Sequence, residues 1–334
     1  MNISLDALQD LLTRALRAEG MSSDNAAVIA RTISIAERDG THHHGIFRLR
    51  GYVDTLRSGW VDGRAIPIVD ASKAGLVRID AQNGFAQPAL AAGRDLLVAK
   101  ARENGVALMT IRNSHHFAAL WPDVEQFAEL RLVALAFVNT RSRVAPWGGR
   151  TQLFGTNPMA FACPRKGNAP IVWDQASSVV SSGELLMAVR DKRQVAEGIG
   201  IDKHGNATTD PKAILEGGAQ LPFGGHKGSM IALMVEILAA AVTGGRFGME
   251  DSSAAYPGSQ TSNAGETVIV IDPAASAGDD FFSRIEQLVL AIASNGSARI
   301  PGERRHKGRA DRLYNGVEIS DEAYQFALQL AGAA

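Results

Sequence analysis

A chain of 334 residues with 46% apolar side chains can bury a large core, either as two domains or as one core with an added layer. Its 34 basic and 35 acidic residues balance without a basic stripe, which argues against nucleic acid and other charged polymers as partners. The single Cys163 excludes an internal disulfide framework and a cysteine-based zinc site; with no export signal at the N-terminus and no membrane-length apolar run, the expectation is a cytoplasmic protein without a membrane partner.

Leucines at helical spacing predict an amphipathic helix over Ser4 to Glu19, and a second helix starts after the cap candidates Ser22 and Ser23 and ends near Glu37. A third is predicted over Ile46 to Ser58. Leu76 to Asp80 reads as a strand, Pro88 to Asn104 as a helix, Val106 to Ile111 as a strand, Trp121 to Glu129 as a helix and Leu132 to Val138 as another strand. A turn at Pro146 to Gly149 precedes strands near Met159 and over Ile171 to Asp174. Strands this close together, without crossover helices between them, favour antiparallel or mixed pairing. Gly198 to Pro211 reads as a loop, and Ser229 to Val242, apolar nearly all round, as a buried central helix. Thr267 to Ile271 is a strand, Phe281 to Ala293 a helix, Arg299 to Gly308 a basic loop and Ser320 to Leu330 a final helix.

Five of the eight histidines fall in two clusters, His42-His43-His44 and His115-His116. Imidazole both donates and accepts a proton near neutral pH, so the two clusters form a candidate active site if the fold joins them. His44 and Arg48 are four apart, which lets a proton-transfer group and a planar anion clamp project from one side of a helical turn. A metal site built from His42, His44 and His116, as in a metal-dependent hydrolase, is the alternative of another class. It ranks lower because no acidic partner has ligand spacing, and the expected metal content is none. The dinucleotide fingerprint G-x-G-x-x-G is absent, which disfavours a Rossmann domain, and Gly224-Gly225-His226-Lys227-Gly228 is not a Walker motif. Glycines at a helix start can still turn N–H groups toward an anion, with Lys227 adding charge.

Seven stretches, in order along nearly the whole chain, resemble the malate/L-lactate dehydrogenase family of non-Rossmann nicotinamide-dependent oxidoreductases. They are His44-Gly45-Ile46-Phe47-Arg48-Leu49, Asn113-Ser114-His115-His116-Phe117, Gly155-Thr156-Asn157-Pro158, Asp174-Gln175-Ala176-Ser177-Ser178, Thr209-Asp210-Pro211, Gly224 to Gly228 and Pro301-Gly302-Glu303. His116 to Glu125 and Leu221 to Gly228 look most like the branch that reduces the cyclic imino acids Δ1-piperideine-2-carboxylate and Δ1-pyrroline-2-carboxylate. A dehydrogenase of 2-hydroxy acids such as malate or lactate is the alternative within the family.

The resemblance implies an α/β fold in which a mixed, mostly antiparallel sheet forms a non-Rossmann NAD(P)-binding domain over residues 76–294. Residues 1–75 with 295–334 would form a helical substrate and dimerisation layer, and the protein would be a homodimer. It also implies His44 as proton donor, Arg48 as the clamp on the substrate carboxylate, and Thr156 and His116 as substrate contacts. The cofactor, NADPH with NADH as alternative, would be held by His116, Phe117, Ala118, Ala119, Leu120, Asp174, Gln175, Ala176, Ser182, His226, Lys227, and Gly302, Glu303, Arg304, Arg305, His306, Lys307 and Gly308. Where the branch carries serine and aspartate as a relay to the catalytic histidine, this chain carries His43 and Glu184.

Overall fold

The computed structural model describes residues 1–332. A short strand β1 (Asn2–Ile3) leads into α1 (Leu5–Ala18) and α2 (Ser23–Arg38), each opened by a serine, Ser4 or Ser22, whose hydroxyl accepts a backbone N–H of the first turn. Two single 3-10 turns, His42–His44 and Ile46–Arg48, separate α2 from α3 (Leu49–Arg57). The expected helix from Ile46 is therefore tighter in its first turn, because the carboxylate of Glu37 on α2 seizes the Ile46 N–H.

The alternating apolar residues of β2 (Ile68–Lys73), β3 (Leu76–Phe85), β4 (Val106–His115), β5 (Val133–Val138), β6 (Met159–Cys163) and β7 (Ile171–Gln175) build one sheet with a later strand. The helices α4 (Ala86–Asn104) and α5 (Trp121–Glu129) lie between these strands in sequence. Beyond β7 come α6 (Ser182–Arg190), β8 (Gly200–Ile201), β9 (Ala207–Thr208), α7 (Pro211–Leu215) and β10 (Ala219–Gln220). The glycine-rich loop expected at Gly198 to Pro211 thus carries two strands of a small three-stranded sheet, β10-β8-β9. Then follow α8 (His226–Glu236), β11 (Asn263–Ile271), α9 (Asp280–Ala293), α10 (Glu303–Asn315), β12 (Val317–Glu318) and α11 (Asp321–Ala331).

The seven-stranded sheet runs β2-β3-β4-β11-β5-β6-β7. Only β3 and β4 pair in parallel, joined by α4 as their crossover; every other neighbour is antiparallel. The expected mixed, mostly antiparallel sheet is present and the strand order is not that of a Rossmann fold. One core lies between the sheet and α4 and α5, centred on Val77, Met109, Trp121, Phe127 and Val268. A second core is helical and joins Leu8, Leu12, Ile29, Ile33, Leu49 and Tyr52 to Val317, Ala327 and Leu330. β1 pairs with β12, which ties the two ends of the chain into that second core.

Two expectations are corrected. The helix expected to be buried from Ser229 to Val242 continues α8 through a π-helical turn, Ile237–Ala241, and only one of its faces is covered. Ala232, Val235, Ala239 and Ala240 are buried, whereas Met230 (65%), Leu233 (48%), Met234 (39%) and Ile237 (46%) stand exposed. The basic segment expected as a loop is the start of α10, with Gly302 at φ +88° as its N-cap. A side chain at Gly302 would crowd the carbonyl of Val172 and the ring of His306. This helix buries no residue fully, so it lacked the apolar stripe by which helices are read. Among the described residues, no helix is long and apolar enough to cross a membrane.

Candidate active site

Glu37 organises the histidine-bearing turn. One carboxylate oxygen meets Nδ1 of His42 at 2.6 Å, and the other accepts the backbone N–H of Ile46 at 2.7 Å. Gly45 lies against that carboxylate so closely that a Cβ there would overlap it. The turn consequently delivers His43, His44 and Arg48 together: the rings of His43 and His44 are 4.5 Å apart, and Arg48 Nε donates to the His43 carbonyl at 2.9 Å.

His44 is the least solvated of the three in its ring. Its Nδ1 is buried with no partner, leaving Nε2 as the nitrogen open to a ligand. Burial first, then the charges of Arg48, His43 and His116, hold its pKa well below the ordinary histidine value, so the free site carries a neutral imidazole. His43 is also held low, by burial and Arg48, with the carboxylate of Glu184 pulling the other way.

The two histidine clusters do meet. The Arg48 guanidinium lies 4.5 Å from the centre of the Phe117 ring, and His116 is close enough for its charge to act on His44. His115 is a structural residue instead. It is fully buried, hydrogen-bonded by Nδ1 to Thr261 at 2.8 Å and by Nε2 to Asn83 at 3.0 Å, and burial drives its pKa down to about 3. Nor do His42, His44 and His116 assemble as ligands, since His42 is turned to Glu37.

A third element closes this corner. The side chain of Arg48 approaches Gly183 in the first turn of α6. Glu184 forms a capping box there: its carboxylate accepts the Ser181 N–H at 2.8 Å while the Ser181 hydroxyl accepts the Glu184 N–H at 3.1 Å. Its side chain makes no hydrogen bond to His44. Ser182 bonds Gln220 at 3.0 Å. Thr156 donates its N–H to the Thr140 hydroxyl at 3.1 Å, and its carbonyl receives Ser177 N at 2.8 Å.

Of the residues expected around a dinucleotide, those of β7, of the segment before α5 and of the start of α10 form a connected shelf. Asp174 Oδ2 accepts the N–H groups of Leu120 (3.0 Å) and Trp121 (3.2 Å), which pins the segment His116-Phe117-Ala118-Ala119-Leu120 to β7 next to Gln175 and Ala176. Arg305 of α10 lies 4.2 Å over the Trp121 ring with Nη1 buried and unpartnered, and its nearest carboxylate, Asp174, is 3.9 Å away. His306 meets the Pro170 carbonyl at 2.9 Å, Glu303 pairs with the exposed Lys307 at 2.6 Å, and Arg304 is exposed beside them. His226 and Lys227 stand exposed in the first turn of α8, after Gly224 and Gly225 at positive φ.

Four functional supports went unread in the sequence. Glu37 and Asp39 end an apolar helix, and Asp123 and Glu125 interrupt the buried face of α5. Their signal was a buried-position acid, visible only once the core face is known. Arg309 ties two of them: its guanidinium reaches Asp39 at 2.6 Å and Glu125 at 2.8 Å. A seven-residue shift along the chain separates His116 from Asp123, yet they pair at 2.8 Å.

Residues 3–326 match the family model described as malate/L-lactate dehydrogenase. A Δ1-pyrroline-2-carboxylate/Δ1-piperideine-2-carboxylate reductase of Pseudomonas syringae pv. tomato is 51% identical over 330 residues, covering 99% of this chain and 96% of that relative. A protein of the same name from Pseudomonas putida is 51% identical over 332 residues, covering 99% and 97%. The crystal structure of the Δ1-piperideine-2-carboxylate reductase from Pseudomonas syringae superposes with a TM-score of 0.97 at 50% identity, over 99% of each chain. On the family match and these relatives, the chain belongs to the malate/L-lactate dehydrogenase family of oxidoreductases.

Proposed function

We propose that this protein reduces Δ1-piperideine-2-carboxylate and Δ1-pyrroline-2-carboxylate to L-pipecolate and L-proline, using NADPH in preference to NADH. The observation that carries the reading is the corner where Arg48, packed on Phe117, stands beside an uncharged His44. It offers a fork for a carboxylate and a proton-transfer group for the adjacent atom. The two reductase relatives at 51% identity support the choice of a cyclic imine over a 2-hydroxy acid.

The orphaned Nη1 of Arg305 supports a phosphate-bearing dinucleotide, because a buried guanidinium nitrogen without a partner is costly until an anion meets it. Arg304 and Lys307 add exposed positive charge for a 2′-phosphate. The bound cofactor supplies a hydride from nicotinamide C4 to C2 of the imine.

The protein's own part is orientation and protonation. Arg48 pairs with the substrate carboxylate, which aims C2 at the cofactor, and the C=N electron pair moves to nitrogen as the C2–H bond forms. Arg48 is also the strongest neighbouring charge holding His44 neutral. A carboxylate on Arg48 cancels that influence, so substrate binding itself raises the proton affinity of His44 at Nε2. His43 and Glu184 stand beside this pair as candidates for relaying the proton. The exposed face of α8 supports a homodimer.

Initial rates with the two imino acids, pyruvate and oxaloacetate, each with NADPH and NADH, test this reading. Faster reduction of the keto acids than of both imino acids would overturn the substrate, and equal use of both cofactors would overturn the preference.

A further inference from the structure

Beneath the His116 segment three ionisable groups meet out of reach of water. Glu266 on β11 is 1% exposed and Asp123 on α5 is 3% exposed, and the side chain of His116 is 5% exposed. His116 Nε2 lies 2.8 Å from Asp123 Oδ2, and the donor atoms of all three side chains lie within 4.8 Å of one another. Both oxygens of Glu266 are buried, and neither has a hydrogen-bond partner. A charged group in the middle of an apolar strand, flanked across the sheet by Ile111 and Val138, is expensive unless it is neutralised.

We propose that Glu266 is a positioning residue for the reduction: by staying protonated and uncharged beside Asp123 it leaves that carboxylate ionised against His116, and so fixes the His116 ring and the charge that His44 faces. The inference rests on the proposed reductase activity for its kinetic arm alone. Two carboxylates this close, closed off from water, do not both ionise, and Asp123, which His116 contacts, is the one that keeps its charge. Glu266, which has no hydrogen-bond partner, holds the proton, leaving the cluster neutral when His116 is protonated.

Its electrostatic surroundings agree. Burial, then the charge of Asp123, raises the Glu266 pKa to about 8, with His116 opposing. For His116, burial is outweighed by Asp123, Glu266 and Asp174 of β7, and its pKa is raised. On α3 the buried Tyr52 hydroxyl also lies in the field of Asp123. Of the remaining elements against β11, Ile237–Ala241 is apolar, β4 brings the exposed Arg112 and the buried, neutral His115, and Arg94, Asp95, Lys100, Arg102 and Glu103 of α4 are partly or fully exposed.

Above pH 8 the Glu266 proton leaves, the carboxylates repel, and the support under His116 to Leu120 loosens. Glu266→Gln tests this, because its amide never ionises. Wild-type protein should lose NADPH affinity, read by quenching of protein fluorescence, with a midpoint near pH 8, and should lose thermal stability progressively from about pH 4.5, where the unfolded carboxyl ionises, up to about pH 8. The Gln variant should keep turnover within about threefold of wild type at pH 7, a difference well under one pKa unit's worth of interaction. It should lack both the affinity midpoint and that fall in stability. The ratio of the two kcat profiles cancels the substrate's own ionisation and should rise above pH 8. Glu266→Leu, equally uncharged, should also lack the alkaline loss of NADPH affinity, which separates the effect of the charge from that of the amide.

An alkaline midpoint of NADPH affinity unchanged in the Gln variant or in a folded Leu variant would overturn the proposal. So would a stoichiometric metal in the purified protein that Glu266→Gln abolishes. A protein that reduces none of the four acids, yet shows the stability and NADPH-binding differences, would sink the imino acid reading and leave the role of Glu266 standing.

Discussion

Arg48 shows how one side chain is recruited for two tasks by the turn that carries it. Its Nε is committed to the His43 carbonyl and its plane to Phe117, so the remaining nitrogens of the fork are oriented before any substrate arrives. Arg48→Lys keeps the charge but loses the fork. Because a hydrogen bond to a charged group contributes about 1.5–3 kcal/mol, KM for the imino acid should rise roughly ten- to hundredfold while kcat falls less. Steady-state kinetics check this, and a larger fall in kcat than rise in KM would assign Arg48 to the chemical step. Glu37 acts one residue further back. Glu37→Gln cannot accept from the Ile46 N–H and His42 with the same strength, so the turn should loosen, lowering kcat about tenfold with a smaller change in KM, while Glu37→Ala opens the space above Gly45 and should be worse. His44 and Arg48 were legible in the sequence, since a histidine and an arginine four apart after a glycine already state a chemistry. The acids that hold them were not, because an isolated glutamate at a helix end reads as solvated until its burial is known.

At the level of elements, α10 joins the shelf to the catalytic turn. Its first turn carries Arg305 and His306 against β7 and Trp121, and Arg309, one turn later, grips Asp39 at the end of α2, three residues before His42. Glu125 on α5 completes the pairing, and Arg38 reinforces Asp39 at 2.8 Å. With Asp39 wholly buried and Glu125 nearly so, Arg309→Met removes the cation bonded to both carboxylates and leaves Arg38 as their remaining partner. Breaking such a buried pair costs about 3–5 kcal/mol, so the melting temperature should drop by several degrees. NADPH should also bind more weakly even where the protein remains folded, and Arg309→Lys should restore stability more than cofactor affinity. Calorimetry with fluorescence titration separates the two, and unchanged cofactor affinity in folded Arg309→Met would limit the network to a structural role. The reason this helix was missed is physical: thirteen residues with no buried side chain are held by ion pairs and by Gly302 rather than by an apolar stripe. The long sheet strands were easier, because apolar runs bounded by polar turns need no tertiary information. The two-residue strands β8, β9 and β10 carry no such period.

For the molecule as a whole, two features extend beyond the site. His44 and His115 stay neutral in the fold while an unfolded chain takes up protons below about 6.5. Their contribution to stability is complete above that pH and is lost progressively as the pH falls toward the folded value of His115, about 3, so the melting temperature should decline on acidification. His115→Gln should weaken that acid dependence, and an identical slope in the variant would contradict the argument. The second feature is the open face of α8 and its π-turn. The sequence reading of a helix apolar all round was correct in composition and wrong in placement, because β11 and β5 cover one side only, leaving Met230, Leu233, Met234 and Ile237 in the open. Four neighbouring large apolar side chains on a regular helix make a patch of the kind that self-association buries. In a two-fold dimer built on this face Leu233 of both copies would be covered, so Leu233→Glu buries a charge on each side of the seam and removes apolar contact. Light scattering coupled to gel filtration should then report the mass of one chain for Leu233→Glu and of two for the native protein, with the melting temperature of the variant becoming independent of concentration. A native mass of one chain, or a variant that stays dimeric, would remove this face as the interface.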